Sequence, residues 1–167
     1  MMNDILLTTV DDLKEVTSIS KNIQSELLEP YLLVAEEFFV YPILGDALVS
    51  EFKNQLTGNT LSDLNKTLLI QYVRPVVGYG AWHEYIPFSY VKSTQKGEVS
   101  QFSDNSSTPA IDIVSYKRQA LKDKLSFFQD RLKKYLEDNH DMYPLYRSTC
   151  RINNNNYSSS IYLGDAN

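Results

Sequence analysis

One cysteine, Cys150, supplies all the thiol chemistry of this 167-residue chain. No internal disulfide can form, which excludes a small secreted scaffold held by covalent staples. Six glycines and six prolines are too little punctuation for many short strands, and apolar residues recur at helical spacing instead. No run of about 18 uncharged apolar residues occurs, so no membrane-spanning helix is expected. The opening Met1-Met2-Asn3-Asp4-Ile5-Leu6-Leu7 has neither a basic start nor a sustained apolar stretch. That argues against a signal peptide, and a reducing cytoplasm is the expected compartment.

Histidine is equally scarce, with His83 and His140 alone. There is no His-Glu-x-x-His, no paired Cys-x-x-Cys, no calcium loop and no phosphate-binding glycine loop, so no metal, cofactor or enzyme is expected. His83-Glu84 and the group Asp138, His140 and Asp141 lack ligand spacing. His83 reads as a packing residue and His140 as a favourable charge near a helix carboxyl end. Cys150 has no base beside it in sequence, which makes a nucleophile a poor reading.

What the chain does have is 43% apolar residues, enough for one core. Twelve tyrosines suit core edges and subunit contacts, because the ring packs while the hydroxyl stays wet. The net charge of −5 is unevenly spread. Residues 1–63 hold three basic and eleven acidic side chains, whereas 117–134 hold seven basic and two acidic. Compensation within one molecule, or two solvated faces, would account for this. So would head-to-tail packing of copies, acidic side against basic helix, closing a ring. With a pI of about 5.0, sequence-specific DNA reading by Lys117, Arg118, Lys122, Lys124, Arg131, Lys133 and Lys134 is not expected. Passage of nucleic acid through an acidic assembly without grip is compatible with these numbers.

Along the chain, Thr9 with Asp12 predicts a capped helix to about Val16. Glu29-Pro30 predicts the opening of a second, carrying Leu32, Leu33, Ala35, Phe38 and Phe39 and stopping near Tyr41-Pro42. A third begins at Ile43 to Leu48, with Leu44, Ala47, Leu48 and Phe52 on one face, and ends at Gly58 in a left-handed cap. Leu61 to Tyr85 predicts a central buried helix, kinked at Pro75, on which Gly78, Gly80 and Ala81 allow close approach. Ser89 to Ser93 and Glu98 to Phe102 flank Gln95-Lys96-Gly97 as a small hairpin at about 88–102. After a polar loop at 104–109 comes a long basic helix to about Asp138, with Leu121, Leu125, Phe128, Leu132 and Tyr135 stepping by three or four.

The expected organisation is mainly α: a helical bundle with a small β-hairpin over residues 1–139, and an extended carboxyl-terminal arm over 140–167. The tail from Met142-Tyr143-Pro144-Leu145-Tyr146 through Asn153 to Asn156 and on to Ile161-Tyr162-Leu163 lacks helical period, yet keeps apolar residues that a solvated tail would shed. It reads either as terminal disorder or as an arm that crosses to a neighbour and adds a strand to a sheet edge there.

This ordering resembles the head-to-tail adaptor (tail connector) proteins of tailed bacteriophages, including crAss-like phages of Bacteroides. The likeness rests on Phe39-Val40-Tyr41-Pro42-Ile43-Leu44-Gly45, on Val73-Arg74-Pro75 with its small-residue stretch, on the turn at Gly97, and on the closing Met142-Tyr143-Pro144-Leu145-Tyr146. It spans Glu29 to Tyr146. The resemblance implies a virion structural protein, assembled in the host cytoplasm as a ring, typically of twelve copies, beneath the portal protein. The next tail or ring protein would follow below, with DNA passing through the channel, no membrane and no catalytic residue. On that reading the contacts fall on Tyr90 and Val91 of the hairpin and on Lys117, Arg118, Lys122, Lys124 and Arg131 of the basic helix. In the tail they fall on Tyr143, Leu145, Tyr146, Ile161, Tyr162 and Leu163. The rival reading is a monomeric helical protein-binding module with a groove lined by Tyr72, Tyr79 and Trp82; an enzyme built on His83-Glu84 ranks last.

Overall fold

The computed structural model describes residues 5–89, 91–94, 97–100 and 111–146, and they are mainly helical. Helix α1 (Val10–Val16) begins as the sequence predicts. The Thr9 hydroxyl accepts from the Asp12 backbone N–H, and the Asp12 carboxylate accepts from the Thr9 backbone N–H, so two donors left over by the first turn are satisfied reciprocally.

Helix α2 (Ser25–Ala35) starts a full turn before the expected Glu29-Pro30, and Pro30 lies inside it. Leu28 explains the difference: it is fully buried, and its burial draws the preceding turn into the helix although the ring of Pro30 removes one donor. Nor does the chain stop at Tyr41-Pro42. A π-turn, Glu36–Val40, carries it into α3 (Tyr41–Leu44). The wider turn makes room ahead of a proline that would clash with a regular α-helical carbonyl. The same arrangement recurs where α5 (Asp63–Leu68) passes through a second π-turn, Leu69–Val73, into α6 (Arg74–Tyr85), with Pro75 in its first turn.

Helix α4 (Asp46–Thr57) follows Gly45, whose φ of 77° and ψ of 155° suit glycine alone. At its other end Gly58 is right-handed, and Asn59 (φ 51°) supplies the left-handed residue expected of the glycine. Thr60 N–H then reaches back to the Gln55 carbonyl at 2.9 Å, closing the helix end.

Helix α6 is the hub. It packs against α2, α1 and α7 (Ile111–Asp138), and its glycines permit two of those approaches. A Cβ on Gly78 would stand 2.5 Å from Val16 Cγ2 and 3.3 Å from Thr17 Cγ2, and one on Gly80 would stand 3.2 Å from Ala35 Cβ of α2 and 2.6 Å from Phe39 Cδ2 of the π-turn after it. Gly78→Ala is therefore expected to force α1 off α6 and cost about 1–3 kcal/mol, as overpacking does, read as a lowered midpoint in urea with an unchanged slope.

Strands β1 (Val91–Thr94) and β2 (Gly97–Ser100) pair antiparallel, with Val91 opposite Ser100 and Thr94 opposite Gly97. After α7 a short 3₁₀ turn, His140–Met142, returns the chain to the body. Tyr143 is only 2% exposed. Its hydroxyl donates to the Leu64 carbonyl at 3.1 Å, and its ring meets Tyr135 edge-on. Tyr146 also packs on the core. The chain thus stays with the folded body through Tyr146 and does not leave it at Asn139, because a buried aromatic ring anchors what composition marked as tail. The rest of the expected arm lies outside the described residues.

Candidate functional site

Helix α7 carries most of the residues singled out for contact, and its angular order decides what each can do. Leu121, Leu125, Leu132 and Leu136 are buried against the body, spaced as one helical face. Beside them an aromatic seam closes the join. Tyr135 stacks on Tyr72 of the second π-turn with centroids 3.9 Å apart, and Phe128 stacks on Tyr79 of α6 at 5.1 Å. Arg131 lies over the Tyr72 ring at 4.9 Å and Lys124 over Tyr79 at 5.5 Å. Both cations are thereby held by faces of their own subunit's rings, while their residues remain exposed. The groove expected from Tyr72, Tyr79 and Trp82 has two of its three rings covered by α7, and Trp82 packs against the core.

On one flank of the buried face lies a cavity of about 400 Å³ lined by His83 of α6 and by Ser115, Arg118, Gln119 and Lys122 of α7. The four α7 residues stand at i, i+3, i+4 and i+7, one face over two turns. Every lining side chain can donate a hydrogen bond, two are permanent cations, and none is a carboxylate. Arg118 and Lys122 make no ion pair or hydrogen bond among the described residues. His83 Nδ1 lies 2.8 Å from Glu84 Oε1.

On the other flank, Ile113, Tyr116 and Phe127 form an exposed stripe, with Tyr116 at 76% and Phe127 at 64% exposure. The sequence carried a signal for this that the contact expectation missed. Consecutive helical residues lie about 100° apart, so in the doublet Phe127-Phe128 the two rings cannot both face the core. Phe38-Phe39 obeys the same rule: Phe39 packs against the core, while Phe38 is 66% exposed at the end of α2's outer face. That outer face runs Glu26, Glu29, Leu33, Glu37, all exposed. None of its three carboxylates has a partner among the described residues.

Of the other expected contact residues, Lys117 is exposed near the start of α7 and Leu145 is exposed after the 3₁₀ turn. Val91 begins β1. Tyr143 is corrected from a contact residue to a core residue, because its ring is enclosed and its hydroxyl already satisfied. Tyr90, Ile161, Tyr162 and Leu163 lie outside the described residues. His140 sits beyond α7 with Nδ1 3.2 Å from the Glu137 carbonyl and Nε2 2.9 Å from Asp141. The end of α7 is closed by Asn139, whose Nδ2 donates to the Tyr135 carbonyl at 2.8 Å.

Glu36 was not singled out at all, yet it is the most buried ionisable group of the site region. Its side chain opens the first π-turn at zero exposure. Oε1 accepts from the backbone N–H groups of Leu7 at 2.7 Å and Thr8 at 3.1 Å, and Oε2 from the Tyr41 hydroxyl at 3.3 Å. Burial pushes its carboxyl up to about 7, although those donors and Lys53 pull the other way. It ties down the amino-terminal segment, whose residues Ile5 and Thr8 line a cavity of about 530 Å³ together with Ser25, Glu29 and Leu32. A second tie joins the same region to the start of α6: Asp12 Oδ1 pairs with Arg74 at 2.8 Å.

Among the described residues no group of three or more His, Cys, Asp or Glu side chains could hold a metal ion, and no helix is long and apolar enough to cross a membrane. The described surface has two exposed apolar patches, one beside carboxylates at α2 and one on α7 between carboxylates and cations, and a basic cavity. The chain matches no curated protein and no solved structure. Residues 40–156, which take in the first proline-bearing turn, the hub helix, the strands and all of α7, match a family model, and the chain belongs to that family, DUF6712, a family of unknown function.

Proposed function

We propose that the protein is a virion structural subunit, a head-to-tail adaptor that assembles with copies of itself as a ring between portal and tail, around the DNA exit channel. The observation that carries this reading is the separation of complementary faces on one subunit. Leu33 on α2 and Phe38 in the π-turn after it are exposed beside unpartnered carboxylates, and Tyr116 and Phe127 are exposed on α7, which carries seven basic residues against two acidic over 117–134. Unlike faces on one subunit favour heterologous contacts, which close as rings or run on as filaments. Apolar anchors within a polar rim are the usual anatomy of a specific interface. The resemblance to phage adaptors supplies the biological setting.

In this reading the β1–β2 ladder and the carboxyl-terminal arm tie the ring to its neighbours above and below. Many modest contacts made together hold such an arm in place even when each is weak. The test is the mass in solution of the purified protein, alone and mixed with its candidate portal, by light scattering behind a sizing column. The expected result is a large, fixed multiple of the subunit. Deletion of 153–167 is expected to weaken co-assembly with portal while leaving the helical signal unchanged. A protein that remains monomeric and indifferent to portal would instead belong with helical binding modules.

A further inference from the structure

We infer that the basic cavity between α6 and α7 is a socket for two carboxylates of a second copy, Glu26 and Glu29 on its α2. This rests on the ring reading and names where one subunit plugs into the next. The cavity is lined by His83, Ser115, Arg118, Gln119 and Lys122, of which Gln119 donates to Asp123 and His83 faces Glu84, leaving the two cations as the groups without a partner. Arg118 and Lys122 have no counter-ion among the described residues, so a site with two fixed positive charges and polar walls stands without its anion.

Three observations favour a protein carboxylate over a nucleic-acid phosphate as that anion. The chain carries a net −5, so a long polyanion is repelled by most of the molecule that a neighbouring acidic helix would complement. The outer face of α2 offers Glu26, Glu29 and Glu37 without partners. The spacings also correspond: Glu26 and Glu29 stand three residues apart, about 4.5 Å along their helix, and Arg118 and Lys122 four residues apart, about 6 Å along theirs. Two helices laid side by side bring both pairs together at once. Leu33, one turn farther along the same α2 face, supplies the apolar contact that an ion pair alone lacks.

The experiment is a charge swap on the full chain, with R118E/K122E as the socket variant and E26K/E29K as the plug variant. Unchanged helical signal and thermal midpoint establish that both are folded. Each variant alone is expected at monomer mass under conditions where the wild type assembles. The equimolar mixture is expected to recover a heavier species containing both in equal amounts, and to lose it as salt is raised. If the wild type assembles and both variants assemble like it, the socket assignment is wrong and the ring reading stands. If the mixture stays monomeric while each variant is folded, the pairing of these two faces is wrong. If R118E/K122E assembles normally but loses binding of inorganic phosphate that the wild type shows by calorimetry, the cavity is a free-anion site and the proposal fails. A wild type that is monomeric at every concentration, with and without portal, removes the ring reading and the socket with it.

Discussion

Replacing Glu36 with glutamine is expected to make the protein more stable than wild type at pH 8 and nearly equal to it at pH 5. The carboxyl of Glu36 rises from 4.5 to about 7 on folding, chiefly because burial penalises its charge. The folded protein therefore holds this proton more tightly than the unfolded chain. Its stabilising contribution is complete below about pH 4.5, declines as pH rises, and is gone above about pH 7. A change of that size corresponds to roughly 3 kcal/mol. Glutamine keeps an oxygen for the Leu7 and Thr8 N–H groups and never ionises, so its variant is flat where wild type falls. The measurement is the difference in unfolding free energy between the two proteins, by urea titration at half-unit steps from pH 4.5 to 8.5. Parallel curves would show that the charge is not felt. Alanine at the same position strands two buried backbone donors and leaves a void, so E36A is expected to lose about 2–4 kcal/mol at every pH.

Glu36 also marks the limit of what local sequence shows. Its two strongest partners come from residues 28 and 29 positions earlier, and nothing in the spacing around Glu36-Glu37 says that one of the pair is enclosed. The capping box at Thr9 and Asp12 was legible because all its parts lie within four residues. So was the inner face of α7, where Leu121, Leu125, Phe128 and Leu132 repeat the helical period over three turns. The glycines of α6 were legible as places of close approach, though the helices that use them had to be found in space.

The prolines misled for a definite reason. Pro42 and Pro75 each follow a π-turn by two residues. The extra residue in each turn accommodates the ring without ending the helix, and it shifts the apolar register by one position downstream. At the first of these turns the Gln129 side chain donates to the Phe39 carbonyl at 3.1 Å, a bond across 90 residues that no window of sequence contains. The basic cavity was half visible in the same way. Arg118 and Lys122 were named as contact residues among the cations of the last helix, but His83, which completes the lining from another helix, was visible only as a packing residue.

Substitution of Tyr143 by alanine is expected to cost about 3–5 kcal/mol, the range for emptying a buried aromatic position, even though the residue lies beyond the last long helix in a segment that composition assigned to a free arm. The ring fills a site at the foot of the aromatic seam, edge-on to Tyr135, which in turn stacks on Tyr72. The hydroxyl donates to the Leu64 carbonyl of α5. Removal therefore opens a void and takes a second hydrogen bond from a helix carbonyl at one stroke. Tyr143→Phe keeps the ring and loses only the hydroxyl contacts, so it is expected to cost about 1–2 kcal/mol. Truncation after Tyr146 keeps both ring and hydroxyl. If the arm beyond that point serves only contacts with other subunits, the truncated chain will melt with wild-type free energy while failing to co-assemble. The two variants thus test for two roles within one tail: Tyr143 holds the subunit together, and on the arm reading the residues after Tyr146 can be lost without unfolding it. A truncation that melted like Tyr143→Ala would show that the arm belongs to its own subunit's core, and assembly would then have to be sought in the faces of α2 and α7 alone.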